Sequence, residues 1–462
     1  MIFDLAGASD STPDHDFHGP LTLRRTVSPL LTWCLRSHRL SSRLVVAALL
    51  GAAGRSAAGQ APPTIVSHTA SVRSLHDAIR RTPAFGRVLV RAGIYREETI
   101  VVDRPLTIEA DSGAVLDGSG QHTVLVIAAD DVTVRGFTMR DTGPSQSEER
   151  SAIRVDGARR CRLERNRIES ALFGIYLAKA ADCVVANNRL RGRGTAQTAS
   201  GNGIHVWSSE RIEVAHNDVS GHRDGIYFEF VTGSRVHDNH VEGSARYGMH
   251  FMFSDDCAYT ANVYRANNNG VAVMYSKRVE MTGNTFEHNW GSAAYGLLLK
   301  DISDSHITGN RFLANSVGLY LEDANRNLVT RNEFGSNGWA LKVLANAQGN
   351  EFESNVFESN AFDVGTNSRS NFSTFRGNYW DRYRGYDLDR DGVGDVPHAP
   401  VRLFALVVEQ SPPTLILLRS VLVDLLDMAE RVMPSLTPDT LLDDRPLMRR
   451  DMALARAGGK PQ

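Results

Sequence analysis

The sequence predicts an all-β fold, a parallel β-helix of about 13 coils of about 22 residues, with a helical cap at its N-terminal end and a helical segment beyond its C-terminal end. Three observations predict it. A small residue followed by apolar-x-apolar recurs as Ala152-Ile-Arg-Val, Gly174-Ile-Tyr-Leu, Gly203-Ile-His-Val, Gly225-Ile-Tyr-Phe, Gly248-Met-His-Phe, Gly270-Val-Ala-Val, Gly296-Leu-Leu-Leu and Gly318-Leu-Tyr-Leu, in steps of 22, 29, 22, 23, 22, 26 and 22 residues. An independent series, Asn166, Asn188, Asn217, Asn239, Asn262, Asn284, Asn310, Asn332, Asn355 and Asn378, shares every one of those steps and continues by 23 and 23. Each phrase is short, alternating and followed by a polar turn, as a strand stacked at about 4.8 Å on its neighbours requires. Asparagine at one fixed corner then forms a ladder of side-chain amides. Leucine-rich repeats share the period but place leucines at several fixed offsets, which these repeats do not.

Composition narrows the function classes. The 462 residues carry 51 Lys plus Arg against 53 Asp plus Glu, a formal net charge of −2 that gives no global attraction to nucleic acid or an anionic membrane. No nucleic-acid partner is expected. Four cysteines in this length exclude a disulfide-built scaffold.

The elements follow in order. Residues 1–59 read as an N-terminal extension and export signal: Arg36, Arg39 and Arg43 precede an apolar run from Leu44 to Ala53 and small residues around Ala57-Ala58-Gly59. That run is too short for a bilayer span, and the destination it predicts is the periplasm. Residues 60–380 are the β-helix. Leu75 to Arg81 reads as a short amphipathic helix that hides the first unpaired strand edge, and Val88-Leu-Val, Leu106-Thr-Ile, Val124-Leu-Val-Ile and Val132-Thr-Val read as less regular coils. The 29-residue step places an extra loop at Arg191 to Ser200, either a binding loop or a tolerated insertion.

Residues 381–400 form an acidic loop, Asp387-Leu-Asp389-Arg-Asp391-Gly392-Val-Gly-Asp395. Carboxylates two apart, followed by glycine for the tight turn, converge oxygens on a hard cation, so Asp387, Asp389, Asp391 and Asp395 are candidate ligands of a structural Ca2+. His398 stands at the twelfth position in place of a bidentate Glu, so the loop is no complete EF-hand and a hydrogen-bonded acidic turn is the alternative. Residues 401–437 contain a helical stretch from Thr414 to Met433 after Pro412 and Pro413, with Leu415, Leu418, Leu422, Leu425, Leu426 and Ala429 on one face. Charges at Arg419 and Asp424 rule against a transmembrane helix, leaving a cap on the coil end or a contact with a membrane partner. Residues 438–462 are charged, poor in pattern and read as a mobile tail.

Strand alternation sorts the side chains of the coils. If the residue after each repeat glycine points inward, the second and fourth after it face solvent. The second file reads Tyr176, His205, Tyr227, His250, Ala272, Leu298, Tyr320; the fourth reads Ala178, Trp207, Glu229, Met252, Met274, Lys300, Glu322. Its middle sets His205, Trp207, Tyr227, Glu229, His250, Met252 and Met274 side by side, a patch too aromatic and too soft for a solvated face. Imidazole with thioether is a Cu(I)-type ligand set, while Met and aromatics equally supply a protein-docking surface. No tight His/Cys cluster with fixed ligand spacing occurs anywhere in the sequence, which argues against a permanent metal centre. Cys161, Cys183 and Cys257 each precede a ladder asparagine by five residues; Cys161 and Cys183 are stacked neighbours, either packed thiols or a bridge.

The run GNYWDRYRGYDLDRDGVGDVPHAPV from Gly377 to Val401, with DGIYFEF at Asp224, YGMHFMFSDD at Tyr247 and GVAVMYSK at Gly270, resembles the NosD family of nitrous oxide reductase maturation proteins. The resemblance covers nearly the whole mature chain. It implies a right-handed, periplasmic β-helix that works with the permease and ATPase of an ABC transporter, at the inner membrane, and with a copper chaperone lipoprotein. It further implies a non-catalytic assembly factor for the copper-sulfur centres of nitrous oxide reductase, with no catalytic residues to carry over. No P-loop is present, so nucleotide energy would come from another subunit. On this reading the patch faces a copper carrier or the reductase, with Cu(I) held transiently, and Leu415, Leu418, Leu422 and Leu425 contact the permease. The alternative is a carbohydrate-active β-helix enzyme or sugar-binding protein. Asp130-Asp131 and Asp255-Asp256 are the paired carboxylates that invite it, but glycoside cleavage needs an acid and a base or nucleophile held about 5 to 9.5 Å apart, and adjacent strand residues point to opposite faces.

Overall fold

The computed structural model describes residues 62–145, 147–194, 200–291, 293–368, 370–418, 420–433 and 441–455. The expected export signal, with Cys34, lies outside them, as does much of the loop expected at 191–200. Among the described residues the chain winds into three parallel sheets of 14, 13 and 12 strands, and each coil gives one strand to each sheet in turn. This is the expected β-helix. The register reproduces the repeat: Ile204 pairs with Ile226, Ile226 with Met249, and Met249 with Val271.

Four features hold the coils together. Inward-pointing Val206, Phe228, Phe251 and Val273 are fully buried, and their analogues form one continuous core. The asparagines form the expected ladder: the backbone N and Nδ2 of Asn217 both donate to Oδ1 of Asn239 at 2.9 Å, and so on down to Asn378. A second ladder, not among the expected features, runs through Asn267, Asn289, Asn315, Asn337 and Asn360. Inside the 13-stranded sheet, Tyr264, Phe286, Phe312, Phe334, Phe357 and Trp380 stack with ring separations of 5.5, 4.8, 4.7, 4.9 and 4.1 Å. Each filled side chain is worth about 1.5 to 3 kcal/mol of apolar burial. The repeat glycines are required because coils approach closely: a Cβ on Gly225 would lie 2.6 Å from the Gly248 carbonyl oxygen and 2.2 Å from Val241 Cγ1.

Both ends are covered. Helix α1, Leu75–Arg81, is N-capped by Ser74, whose Oγ accepts from Asp77 N, and it buries Leu75, Ala78 and Ile79 on the first coils. The C-terminal stretch differs from the single helix expected over 414–433. Helix α2, Leu403–Gln410, is followed by a 3-10 turn at Pro412–Leu417 and helix α3, Val421–Val432. Pro412 and Pro413 lack the N–H groups that would continue α2, so the chain breaks and reverses there. No described helix is long and apolar enough to cross a membrane.

The expected mobile tail is also corrected. Residues 441–455 return to the coil end, where Leu441, Asp443, Leu447 and Ala453 are buried and helix α4, Arg450–Ala455, ends the described chain. Asp443 sits where an eleventh ladder asparagine would stand. Its carboxylate accepts from the N of Gly377 and Asn378, from Asn378 Nδ2 and from Trp380 Nε1, at 2.9, 2.9, 2.9 and 3.0 Å. An acceptor-only side chain suits this place, because no further coil follows to take a donated bond.

Candidate functional site

The 12-stranded sheet carries the patch. His205 is in register with Tyr227, Tyr227 with His250, Trp207 with Glu229, Glu229 with Met252, and Met252 with Met274. All seven residues lie on four successive strands, and Met252 and Met274 occupy neighbouring strands about 4.8 Å apart. Tyr227 Oη reaches Met252 Sδ at 4.0 Å. Lys179 Nζ lies 5.7 Å from the centre of the Trp207 ring and closes one end of the outer file.

The two files differ in exposure, which corrects the expectation that both face solvent. Trp207, Glu229, Met252 and Met274 are half-buried, whereas His205 and His250 are only 7% and 6% exposed. Residues at the start of each strand cover them. Asn202 Nδ2 meets His205 Nδ1 at 3.0 Å, Arg246 Nη2 meets His250 Nδ1 at 3.1 Å, and the Tyr247 ring lies 4.7 Å from that of His250. Arg246 is itself held by an ion pair with the fully buried Asp224. The inner file becomes a run of rings, with Tyr176, His205, Tyr227 and His250 separated by 4.4, 4.7 and 5.2 Å.

Electrostatics keeps both imidazoles neutral. Burial, with Arg223 and Arg154 adding to it, pushes His205 down to about 3. Burial also takes His250 down to about 4, with Arg246 and Arg223 reinforcing it against the opposing pull of Asp224. Burial, then the Glu229 carboxylate, pushes the Tyr227 phenol up to about 12. His250 Nε2 is buried and has no hydrogen-bond partner. Because a guanidinium only donates, the neutral His250 ring accepts at Nδ1 and carries its proton on Nε2, so the lone pair that a soft cation needs, two residues along the strand from a thioether, is freed when Arg246 releases Nδ1.

The other candidates fall as follows. Carboxylate oxygens of Asp387, Asp389 and Asp391 lie within 4.8 Å of one another, around a turn in which Gly392 has φ 85° and donates its N–H to Asp387 Oδ2. Asp387 Oδ1 is buried without a partner. Asp395 is not in that group; its Oδ2 accepts the Leu388 N–H at 2.7 Å. His398, at the twelfth position of the loop, exchanges backbone hydrogen bonds with Asp443. On the C-terminal helices, Leu415, Leu422 and Leu425 are 47%, 46% and 57% exposed, but Leu418 packs with Leu426 and Val423 on Phe362, Phe404 and Val408. The segment therefore both caps the coil end and leaves an apolar face outward. Asp130 and Asp131 are both engaged by Arg160, and Asp256 by Arg278, so the paired carboxylates are corner ion pairs. Cys161, Cys183 and Cys257 are buried free thiols.

Two features were not found in the sequence. Phe230, Phe253 and Tyr275 turn successive corners beside the patch, exposed by 51%, 41% and 41%, with ring separations of 5.2 and 4.9 Å. They extend its apolar area. On the 14-stranded sheet, adjacent coils bring the donor atoms of His216, His237 and Asp238 within 4.8 Å of one another, a grouping made by the stacking of coils and not by a fixed ligand spacing.

Comparison with known proteins bears out the resemblance. Residues 186–385 match a family model described as NosD, periplasmic copper-binding protein. The chain is 29% identical over 385 residues to a "Probable ABC transporter binding protein NosD" of Stutzerimonas stutzeri, covering 78% of this chain and 86% of that one. It is 29% identical over 404 residues to the protein of the same name from Pseudomonas aeruginosa, covering 81% and 91%. Among solved structures it is similar to the catalytic domain of a GH87 alpha-1,3-glucanase in complex with tetrasaccharides, at a TM-score of 0.55 and 12% identity over 69% of each chain, a likeness of fold alone.

Proposed function

From the NosD-type resemblance as premise, we propose that the chain is a periplasmic, non-catalytic docking platform for assembling the copper-sulfur centres of nitrous oxide reductase. It works with the permease and ATPase of an ABC transporter at the inner membrane, with a copper chaperone lipoprotein and with the reductase. The observation that carries this reading is the pairing of half-exposed Met252 and Met274 on adjacent strands beside the neutral His250. Copper is cargo here: Cu(I) passes through transient thioether and imidazole ligation while Trp207, Tyr227, Glu229 and His205 shape the surrounding surface. Because each coil is locked to the next, movement of the transporter shifts how the whole patch is presented rather than deforming it. The outward face of Leu415, Leu422 and Leu425 meets the permease. Replacing Met252 and Met274 with Leu conserves volume, so secretion and folding persist while copper in the reductase falls. Full copper content in the reductase of cells carrying only the double variant would reject the patch.

The acidic loop fits a structural calcium ion, with Asp387, Asp389 and Asp391 as the residues that would hold it and neutralisation of their mutual repulsion as its contribution. Calcium should then raise the melting temperature of the wild-type chain but not of Asp389→Asn. An equal rise in both removes the site.

A further inference from the structure

The cluster on the 14-stranded sheet is on a different sheet from the methionine patch and has a different donor set. We infer that His216, His237 and Asp238 form an exchangeable site for a late first-row divalent cation, of which Zn2+ and Cu2+ are the representatives.

The geometry is built by the coil corner. His237 ends the strand Arg235–His237, and its register partner Ala215 immediately precedes His216. His216 and Asp238 are therefore equivalent corner residues one coil apart, both in the left-handed region with φ of 54° and 53°. Equivalent corners stack with their side chains on one side, about 4.8 Å apart. His237 Nδ1 lies 2.8 Å from Asp238 Oδ2, and His216 Nε2 lies 4.0 Å from the same oxygen. Two ligands of a tetrahedral ion with bonds of about 2.1 Å stand about 3.4 Å apart, so the distances bracket what an ion needs and small side-chain rotations close the difference.

The surroundings favour coordination over a chance ion pair. His237 Nε2, the nitrogen left over when Nδ1 binds metal, faces Glu213 Oε1 at 3.4 Å. A carboxylate on the far nitrogen fixes the tautomer and raises the basicity of a ligating imidazole. Glu213 is itself held by Arg235 Nη2 at 3.1 Å. The side chains of His216 and Asp238 are 55% and 46% exposed and that of His237 is 26%, so three ligands leave the ion open to water or to a ligand from another molecule. The corner in the next coil is Ala261, too small to close the site. Two imidazoles and one carboxylate are a borderline set: too nitrogen-rich for Ca2+ or Mg2+, and lacking the sulfur that selects Cu(I).

The test titrates chelator-stripped, full-length protein with Zn2+ alone against a chromophoric chelator, and with Cu2+ alone followed by electron paramagnetic resonance. His216→Asn keeps a residue that tolerates the left-handed corner, and together with His237→Gln it should abolish one equivalent of Zn2+ and the nitrogen hyperfine splitting of bound Cu2+. Glu213→Gln should keep the stoichiometry and weaken affinity by about 10- to 100-fold. Asp238→Asn, alone at an exposed corner, gives an independent reading that needs no change in either histidine, and should weaken binding at least tenfold. Unchanged stoichiometry and affinity in the double histidine variant, or in Asp238→Asn should the double variant not fold, overturns the site.

Discussion

Removing the Asp443 carboxylate should open the C-terminal end of the β-helix while leaving its middle intact. In Asp443→Ala, the N–H groups of Gly377 and Asn378, the Asn378 Nδ2 and the Trp380 Nε1 all lose the acceptor they now share, in a place where Asp443 and Asn378 are fully buried and Trp380 is 1% exposed. A hydrogen bond to a charged group is worth about 1.5 to 3 kcal/mol, and an orphaned buried donor costs about 1 to 3. Water entering beside the released 441–447 strap relieves part of that, so the net loss is about 3 to 5 kcal/mol. Each tenfold in an equilibrium constant is about 1.4 kcal/mol, so amide hydrogen exchange at Gly377, Asn378 and Trp380 should accelerate by about two to three and a half orders of magnitude. Exchange around Asn217 should not change, because a coil contacts only its neighbours. Asp443→Asn keeps one acceptor oxygen and should fall between. Exchange at Asn378 within about threefold of wild type in Asp443→Ala would refute the ladder-cap reasoning.

Acidification should destabilise the fold. His205, His222 and His250 titrate at about 3, about 4 and about 4 in the folded chain, chiefly through burial, against about 6.5 unfolded, so the unfolded chain takes up protons first as pH falls below about 6.5. Each contributes a loss of about 2 kcal/mol by about pH 5. Asp363, raised by burial to about 6, acts in the opposite sense and offsets about 1.4 kcal/mol over the same window. The melting temperature should therefore fall between about pH 7 and about pH 5; a flat or rising profile would show that these imidazoles are charged or accessible. On the C-terminal helices, Leu422→Glu with Leu425→Glu changes exposed positions and should shift stability by no more than about 0.5 kcal/mol while abolishing co-purification with the permease. Undiminished co-purification would release that face from the role.

The coil repeat was legible because every turn restates it: Asn217 and Asn239 sit at the same offset from Gly203 and Gly225, and one ladder bond predicts the next. Asp443 was illegible for the converse reason, since the cap occurs once and has no period. The register of the patch followed from alternation, but its burial did not. His205 and His250 are covered by Asn202, Arg246 and Tyr247, residues at the start of strands, whose direction is set by the corner that precedes them. The His216, His237 and Asp238 cluster has no fixed ligand spacing in the sequence because His216 and His237 are a coil apart. A signal was nevertheless present: His216 and Asp238 each stand one residue before a ladder asparagine, so reading the corner as a column finds them. The break at Pro412-Pro413 was also visible, and its consequence, a reversal that turns Leu418 onto Phe362 and Phe404, depended on the end of the solenoid being there to receive it.

The role of the 12-stranded sheet is tested most directly by a photo-crosslinking amino acid placed at Met274, with a control at Thr308 on the 14-stranded sheet, in cells that make the copper chaperone and the reductase. Crosslinks to one of those two proteins from position 274 and none from position 308 are the expected result. No adduct at 274, or equal adducts at both positions, would contradict the account.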